Sequence, residues 1–340
     1  MLLTIESTCD ETAAAVISPD GKVLGSSVAT QETLHEQFQG VVPEIAARAH
    51  VERILPVIDT AMRRADVSGD QLDAIGVADR PGLAGSLLVG MVAAKTLALA
   101  WDKPLVTLNH LHAHLYACQM IRETTIYPCV GLVISGGHTS LYRCDSPLDL
   151  EYLGGTIDDA VGEAFDKVAA MLNLGFPGGP AVSKWAAQGD RQAYDFPRSM
   201  VDRDNLDFSF SGLKTAVRYA IVGSGNGVDP KTIDVDDSTK ANVCASFEQA
   251  ATDIVVAKCR AALKQTGTAR LIIGGGVAAN RFLRENLQHA ADDDGFDLVI
   301  APMELCTDNA VMGAIALEKM RRGQFASLDA DITPGLQRGF

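Results

Sequence analysis

The segment Asn109-His110-Leu111-His112-Ala113-His114 packs three imidazoles into six residues. On a helix, residues four apart share a face, so His110 and His114 can point two nitrogens at one metal ion. His112 lies roughly 160° away from each at about 100° per residue and cannot join them on a regular helix. Two nitrogen donors suit zinc or iron, with a carboxylate completing the set. The same spacing also suits a polar helix edge whose histidines bond solvent or backbone. Spacing alone does not name a third ligand.

Two glycine-rich turns follow apolar runs: Ser135-Gly136-Gly137-His138-Thr139 and Gly274-Gly275-Gly276. Glycine lets a backbone approach a phosphate, and successive N–H groups can form an anion-binding nest. Neither turn is a Walker A loop or a GxGxxG fingerprint, and each is also readable as a tight turn with no ligand. Together with the polar turn at Asp10 they favour a nucleotide site. Asp159, Glu163 and Asp166 share a helix face at i, i+4 and i+7, which by spacing alone reads as a solvated face. Thr307 reads as an N-cap, with Asp308 favoured by the helix dipole.

These residues need elements to hold them. Leu2–Ile5, Ala13–Ile17 and Val23–Gly25 read as three linked antiparallel strands. Helical spacing runs from about Val42 to Ala65 and from Leu87 to Ala100. Strands are expected at Ala74–Ala78 and Leu105–Leu108, the second leading into the histidine-bearing helix. The pattern restarts at Cys129–Ile134, where strand, polar turn and strand recur, which suggests a duplicated α/β unit. Residues 154–222 are expected to be helical with glycine-rich breaks, followed by a glycine-rich loop at 223–227 and a helix at 236–265. Strands at Leu271–Ile273 and Leu298–Ile300 flank a helix at Asn280–His289. A last helix is expected at Thr307–Arg321, with a loosely ordered tail after Gly323.

Composition bounds the answer. The chain has 340 residues, 47% hydrophobic and 21% charged, enough for two lobes with a sizeable core. No apolar run approaches the ~20 residues that span a bilayer, so no membrane role is expected. The N-terminus lacks a basic leader, and seven cysteines without a CxxC pair fit a reduced compartment; a cytoplasmic location is expected. With 29 Lys plus Arg against 43 Asp plus Glu, the net charge of −14 repels phosphate backbones on average. RNA binding would need a local basic face or a basic partner.

Taken in order, several segments resemble one family. They are Glu6-Ser7-Thr8-Cys9-Asp10-Glu11-Thr12; Gly40-Val41-Val42-Pro43-Glu44 with Arg48 and His50; Pro81-Gly82-Leu83 with Gly85–Gly90; the His110/His114 pair; Ser135–Thr139; Asp158-Asp159 through Lys167; Pro177-Gly178-Gly179-Pro180; Ser209–Lys214; Gly274–Asn280; and Cys306-Thr307-Asp308-Asn309-Ala310. The set is similar to the Kae/TsaD family of tRNA threonylcarbamoyladenosine transferases, once called O-sialoglycoprotein endopeptidases. The resemblance runs through nearly the whole chain.

The resemblance implies an actin-like ATPase fold of the α/β class. It consists of two ribonuclease-H-like lobes with a nucleotide cleft between them. The expected division is 1–128 and 129–340, with a helical insertion at about 155–265 and a final helix near 308–322 that can pack back on the first lobe. It implies one Fe(2+) or Zn(2+) held by His110, His114 and Asp308. Threonylcarbamoyl-AMP, an adenylate, would touch Val133, Ile134, Ser135, Gly136, Gly137, Asp166, Gly179 and Asn280. The implied reaction, an acyl transfer, moves the threonylcarbamoyl group to N6 of adenosine 37 in tRNAs reading codons that begin with A, and AMP leaves. Asp10 and Glu11 are the catalytic candidates, one of them accepting or positioning the N6 proton. Implied partners are tRNA, a shorter TsaB-like paralogue and a TsaE-like small ATPase.

The chain departs from the family pattern in places. His112-Ala113 replaces Glu-Gly, which removes a carboxylate near the metal pair. Arg80 and Gln39 replace glycines, and Ser183 stands where many members carry a ligand-contacting Asp. Arg198, Arg203, Lys214 and Arg218 are the expected basic face for tRNA. Two other functions compete: an ATPase or phosphotransferase on the same fold, and a non-catalytic scaffold of the same complex. A metalloprotease would need His-Glu-x-x-His, which the chain lacks.

Overall fold

The computed structural model describes residues 1–38, 40–223 and 229–335. Gln39 and most of the glycine-rich loop at 223–227 therefore lie outside the described residues. The chain divides into two compact units. The first comprises Met1–Tyr127, Ser146–Leu150 and the chain from Pro302 on, and the second comprises Pro128–Asp145 and Glu151–Ala301.

The first sheet holds β1 (Leu2–Glu6), β2 (Glu11–Ile17), β3 (Val23–Thr30), β4 (Ala74–Arg80) and β5 (Leu105–Asn109) in the order β3-β2-β1-β4-β5. β1 to β3 form the expected antiparallel meander, with Leu2 opposite Ile17 and Glu6 opposite Ala13. β4 and β5 add in parallel, which requires crossover helices. Those crossovers and their neighbours are α1 (Glu32–Glu36), α2 (Pro43–Ala65), α3 (Ala84–Ala100) and α4 (His110–Gln119). β1 is buried at all five positions, so Leu2, Leu3 and Ile5 do not alternate with exposed residues, and Thr4 and Glu6 are buried polar exceptions. Ile54, Val57, Ile58 and Met62 of α2 pack with Met91 of α3 against Leu3, Ile5 and Val77. Each such side chain contributes about 1.5–3 kcal/mol by leaving water.

The second sheet repeats the plan. β6 (Cys129–Ile134), β7 (Thr139–Ser146), β8 (Asp149–Gly155), β9 (Arg270–Gly274) and β10 (Asp297–Ile300) are ordered β10-β9-β6-β7-β8. β6 and β7 are antiparallel, while β9 and β10 run parallel to β6. Read from its own first strand, the order matches the first sheet, a ribonuclease-H-like arrangement occurring twice. The helices are α5 (Val161–Met171), α6 (Gly178–Ala186), α7 (Ser211–Val222), α8 (Asp237–Thr266) and α9 (Arg281–Asp294).

Three local expectations are corrected. Residues 154–222 are not helical throughout: β8 reaches Gly155, and no helix forms between Ala187 and Phe210. Phe208 and Phe210 are fully buried there, and Phe208 bridges to Thr156. The buried Lys258 ammonium on α8 donates to the Asn205 carbonyl at 2.6 Å, so the segment's backbone finds partners without a helix. The expected helix at Thr307–Arg321 is instead α10 (Met303–Cys306), a break, a 3-10 helix at Ala310–Ile315 and α11 (Ala316–Arg321). Thr307 closes α10, and Asn309 is the cap that accepts from the Met312 N–H. The tail through Gly335 is also held. Ala326 N–H bonds Leu105 O, Thr333 N–H bonds Asp79 O, and Gly82 N–H bonds Pro334 O.

Candidate functional site

In the first unit, Asn109 ends β5 and caps α4 by accepting from the Leu111 N–H at 2.9 Å. One helical turn then separates His110 from His114, and both rings turn inward. Their Nε2 atoms lie 3.2 Å apart. Asp308 Oδ1 is 3.0 Å from His114 Nε2 and 3.4 Å from His110 Nε2. The break before the 3-10 helix aims Asp308 here. A triangle with sides of 3.0–3.4 Å matches the spacing of ligands around a first-row ion with bonds of about 2.1 Å. Two imidazole nitrogens and a carboxylate are also a suitable donor set. The three residues fit a Zn(2+) or Fe(2+) ion.

A fourth group stands behind them. Glu6, at the end of β1, is buried and accepts from the Thr8 N–H at 2.7 Å. Its other oxygen lies 3.1 Å from His110 Nδ1. An Nδ1–H that donates to Glu6, with Thr8 Oγ1 also 3.2 Å away, leaves the Nε2 lone pair for a metal. The loss of a carboxylate at position 112 is thus not the loss of every carboxylate beside the pair. Burial disfavours charge on His110, but Asp308 and Glu6 outweigh it and hold the imidazolium well above its ordinary range. Burial likewise opposes the charge on Asp308, and the two histidines hold it well below the ordinary carboxylate range. His114 Nδ1 is buried and has no hydrogen-bond partner among the described residues. His112 lies off this face, as the helical angle requires. Burial, then the nearby Lys319 and Arg80, push it down to about 4. Arg80 donates from Nε to the buried Asp79 at 3.0 Å.

Asp10 ends the turn between β1 and β2 and Glu11 opens β2, and oxygens of Asp10, Glu11 and Asp308 lie within 4.8 Å of one another. Burial, then Asp10 and Asp308, push Glu11 up to about 10. The turn is fastened to α3 and α2. Ser7 Oγ donates to Ser86 O at 2.9 Å, and Leu83 N–H donates to Thr8 O at 2.8 Å. The approach needs Gly90, where a Cβ would meet Ser7 Oγ at 2.3 Å. His50 completes the fastening. Its Nε2–H donates to Cys9 O at 3.0 Å, so Nδ1 accepts from Thr12 Oγ1 at 2.8 Å.

The adenylate-contact candidates form a second group, in the second unit. Val133 and Ile134 end β6 and are buried. Ser135 N–H donates to His138 O, and His138 N–H returns to Ser135 Oγ at 3.1 Å, which closes the turn. Gly136 and Gly137 face open space, with nothing within 4 Å of an added Cβ. Behind them Gly275, at φ 98°, presses against Ile134 O, where a Cβ would lie 2.3 Å away. Asp166 accepts the Gly178 N–H at 2.7 Å, and Gly179 again faces open space. Asn280 caps α9 by accepting from the Leu283 N–H at 2.8 Å.

Asp159 does not share the expected solvated helix face with Glu163 and Asp166: α5 begins only at Val161, and both Asp159 and its neighbour Asp158 are employed in the turn before it. Asp158 accepts the Ser209 and Ser211 hydroxyls, each at 2.6 Å, and the Phe210 and Ser211 N–H groups at the start of α7. Asp159 sits between Lys167 and Lys214, each at 2.6 Å. Lys214 and Arg198, which bonds Asp253 at 2.9 Å, are therefore already paired with carboxylates. Sequence reasoning missed Glu6 as a partner of His110, His50 as a clamp, and Glu248 with Arg191 beside Asn280. Glu6 and His50 lie in motifs already quoted, whereas nothing local marks Glu248.

Residues 22–315 match the family described as TsaD, tRNA N6-adenosine threonylcarbamoyltransferase. A Rhodopirellula baltica protein of that name is 69% identical over 351 aligned residues, covering 100% of this chain and 98% of that protein. A Symbiobacterium thermophilum protein of the same name is 46% identical, covering 100% and 97%. Among solved structures, full-length HypF in its phosphate- and nucleotide-bound form superposes with a TM-score of 0.62 at 13% identity, over 96% of this chain and 56% of that one. Component A of (R)-2-hydroxyglutaryl-CoA dehydratase from Acidaminococcus fermentans gives 0.53 at 12%, over 94% and 97%. These two show the fold, which is actin-like and α/β with two mixed sheets. The order and spacing of the motifs, the repeated sheet and the full-length identity agree, and the chain belongs to the TsaD family of tRNA N6-adenosine threonylcarbamoyltransferases.

Proposed function

We propose that this protein is the transferase that carries threonylcarbamoyl to N6 of adenosine in tRNA. The observation that carries this reading is the 69% identity along the whole chain to a protein of that name. In finer terms, the acyl donor is threonylcarbamoyl-AMP and the acceptor is adenosine 37 of tRNAs reading codons that begin with A. The N6 amine attacks the carbamoyl carbon, the bond from that carbon to the phosphate oxygen breaks, and AMP leaves. Because the donor carries a good leaving group, no covalent enzyme intermediate is needed. The protein must orient the amine and stabilise charge on the carbonyl and phosphate oxygens.

His110, His114 and Asp308 are the residues that would hold one Fe(2+) or Zn(2+). When bound, that ion supplies a Lewis acid and a template. Glu6 orients His110 for it. Asp10 or Glu11 accepts the proton that N6 gives up or positions it, and Glu11, pushed up to about 10, suits the positioning part. The open backbone at Gly136, Gly137 and Gly179 leaves room for the adenylate, with Val133, Ile134, Ser135, Asp166 and Asn280 beside it.

The remaining partners belong to the same reading. A shorter TsaB-like paralogue docks on the adjacent helices α2 and α3, where Val51 and Leu55 are 63% exposed and Leu88 and Val92 stand out beside them. A TsaE-like small ATPase joins that pair. The location is the cytoplasm; among the described residues, no helix is long and apolar enough to cross a membrane. The test is a reconstituted transfer with purified partners, unmodified tRNA and freshly made threonylcarbamoyl-adenylate, with nucleosides read by mass spectrometry. Modified adenosine supports the reading. Release of inorganic phosphate from ATP by this chain, with no modified tRNA, would replace it with the ATPase.

A further inference from the structure

We propose that Glu248 is a positioning residue that turns Ser183 and Asn280 into an acceptor-only pair for the two ribose hydroxyls of the bound nucleotide. The proposal rests on the adenylate reading above and deepens it. Glu248 lies on α8 with its side chain 2% exposed, while Ser183 and Asn280 are half-buried.

The hydrogen-bond count decides the polarity. Arg191 donates from Nη2 to Glu248 Oε2 at 2.9 Å, and its guanidinium lies 3.4 Å over the Phe282 ring. That contact pins the carboxylate, which leaves Oε1 for the other two residues. Ser183 Oγ gives its only proton to Oε1 at 2.7 Å. Asn280 Nδ2 gives one proton to Oε1 at 2.9 Å and one to Ser183 Oγ at 3.0 Å. Asn280 Oδ1 accepts the Leu283 N–H. Every donor on Ser183 and Asn280 is then used, and each oxygen keeps one lone pair. A ligand can meet this pair only with donors.

Besides the ribose hydroxyls, an acyl adenylate of threonylcarbamate donates only from the adenine amine, the carbamoyl N–H and the threonine hydroxyl. Its phosphate and carbonyl oxygens only accept, whereas its ribose carries two neighbouring hydroxyls. Gly179, one helical turn before Ser183, faces open space and leaves room for a sugar. Ser183 itself fits this arrangement. A carboxylate at that position would face Glu248 at hydrogen-bond distance with no proton between them.

The substitution Glu248→Gln preserves shape and breaks the polarity. Arg191 retains the amide oxygen as its acceptor, because a guanidinium cannot pair with an N–H. The amide nitrogen then faces Ser183 and Asn280 as a donor, and the Ser183 hydroxyl is released to donate outward. The measurement is calorimetric binding of AMP and of 2′,3′-dideoxy-AMP to the full-length protein. Wild type is expected to prefer AMP by about tenfold or more. E248Q is expected to bring the two within about twofold, and Ser183→Ala, which leaves Glu248 in place, to lose part of the preference. Should E248Q not fold, S183A with an unchanged preference overturns the assignment. Wild type that binds both nucleotides equally, or E248Q that keeps the preference, also overturns it while leaving the nucleotide reading intact. Wild type that binds neither nucleotide overturns both.

Discussion

Glu6 Oε2 lies 3.1 Å from His110 Nδ1, on the far side of the ring from the nitrogen that faces Asp308. A residue at the end of the first strand therefore favours a proton on Nδ1 of a residue 104 positions later, which leaves Nε2 to a metal. Substituting Glu6→Gln keeps the shape but removes the charge. Metal affinity is expected to fall about 10–100-fold, read by competition with a chelator. Unchanged affinity would remove Glu6 from the metal centre.

His50 holds the Asp10–Glu11 turn in one tautomer, and burial lowers its pKa below the ordinary value. Glu6 and Asp10 face it and favour its charge, while Arg53 opposes it. Its folded pKa lies below its unfolded one, so the unfolded chain binds the proton first as pH falls. The stability His50 contributes is present above about pH 6.5 and is lost below it. Melting temperature should drop through that range, and His50→Gln should flatten the drop. An identical pH profile in the variant would contradict this account.

The start of α7 depends on a carboxylate outside the helix. Asp158→Ala leaves the Phe210 and Ser211 N–H groups without their acceptor. The loss of such a cap costs about 1 kcal/mol. Hydrogen exchange at 210–215 should speed roughly fivefold, while exchange in β6 stays unchanged. Equal exchange in both proteins would show that Asp158 is dispensable.

Gly90 is required by the contact between α3 and Ser7. Gly90→Ala should cost about 1–3 kcal/mol through overpacking and lower transfer by displacing the Asp10 turn. Wild-type stability and rate in this variant would show that the helix can withdraw freely.

The two halves of the site differ in how far the sequence reveals them. His110 and His114 are legible because a helix repeats every four residues and the pair obeys that period. Asp308 is not, since its spacing to the histidines follows from the fold; locally it reads as part of a helix start, and the structure gives the cap to Asn309. Only the family resemblance placed it. Most strands and long helices are legible from apolar runs and periods. The segment between Ala187 and Phe210 is not, because buried phenylalanines and a distant lysine on α8 order it instead of local hydrogen bonds. Glu248 is invisible for the same reason. A glutamate in a long helix reads as surface until the structure shows it beneath Ser183, Arg191 and Asn280.

The most direct test joins chemistry to the metal centre. Wild type and a His110→Ala/His114→Ala variant are each assayed for bound Fe and Zn, and for modified adenosine formed in tRNA from threonylcarbamoyl-adenylate with the partner proteins present. Metal and product are expected together in wild type, with product in the variant reduced by at least about 100-fold and its metal gone. Full product from the metal-free variant would contradict the role given to His110, His114 and Asp308. No product from wild type with functional partners would contradict the transferase itself.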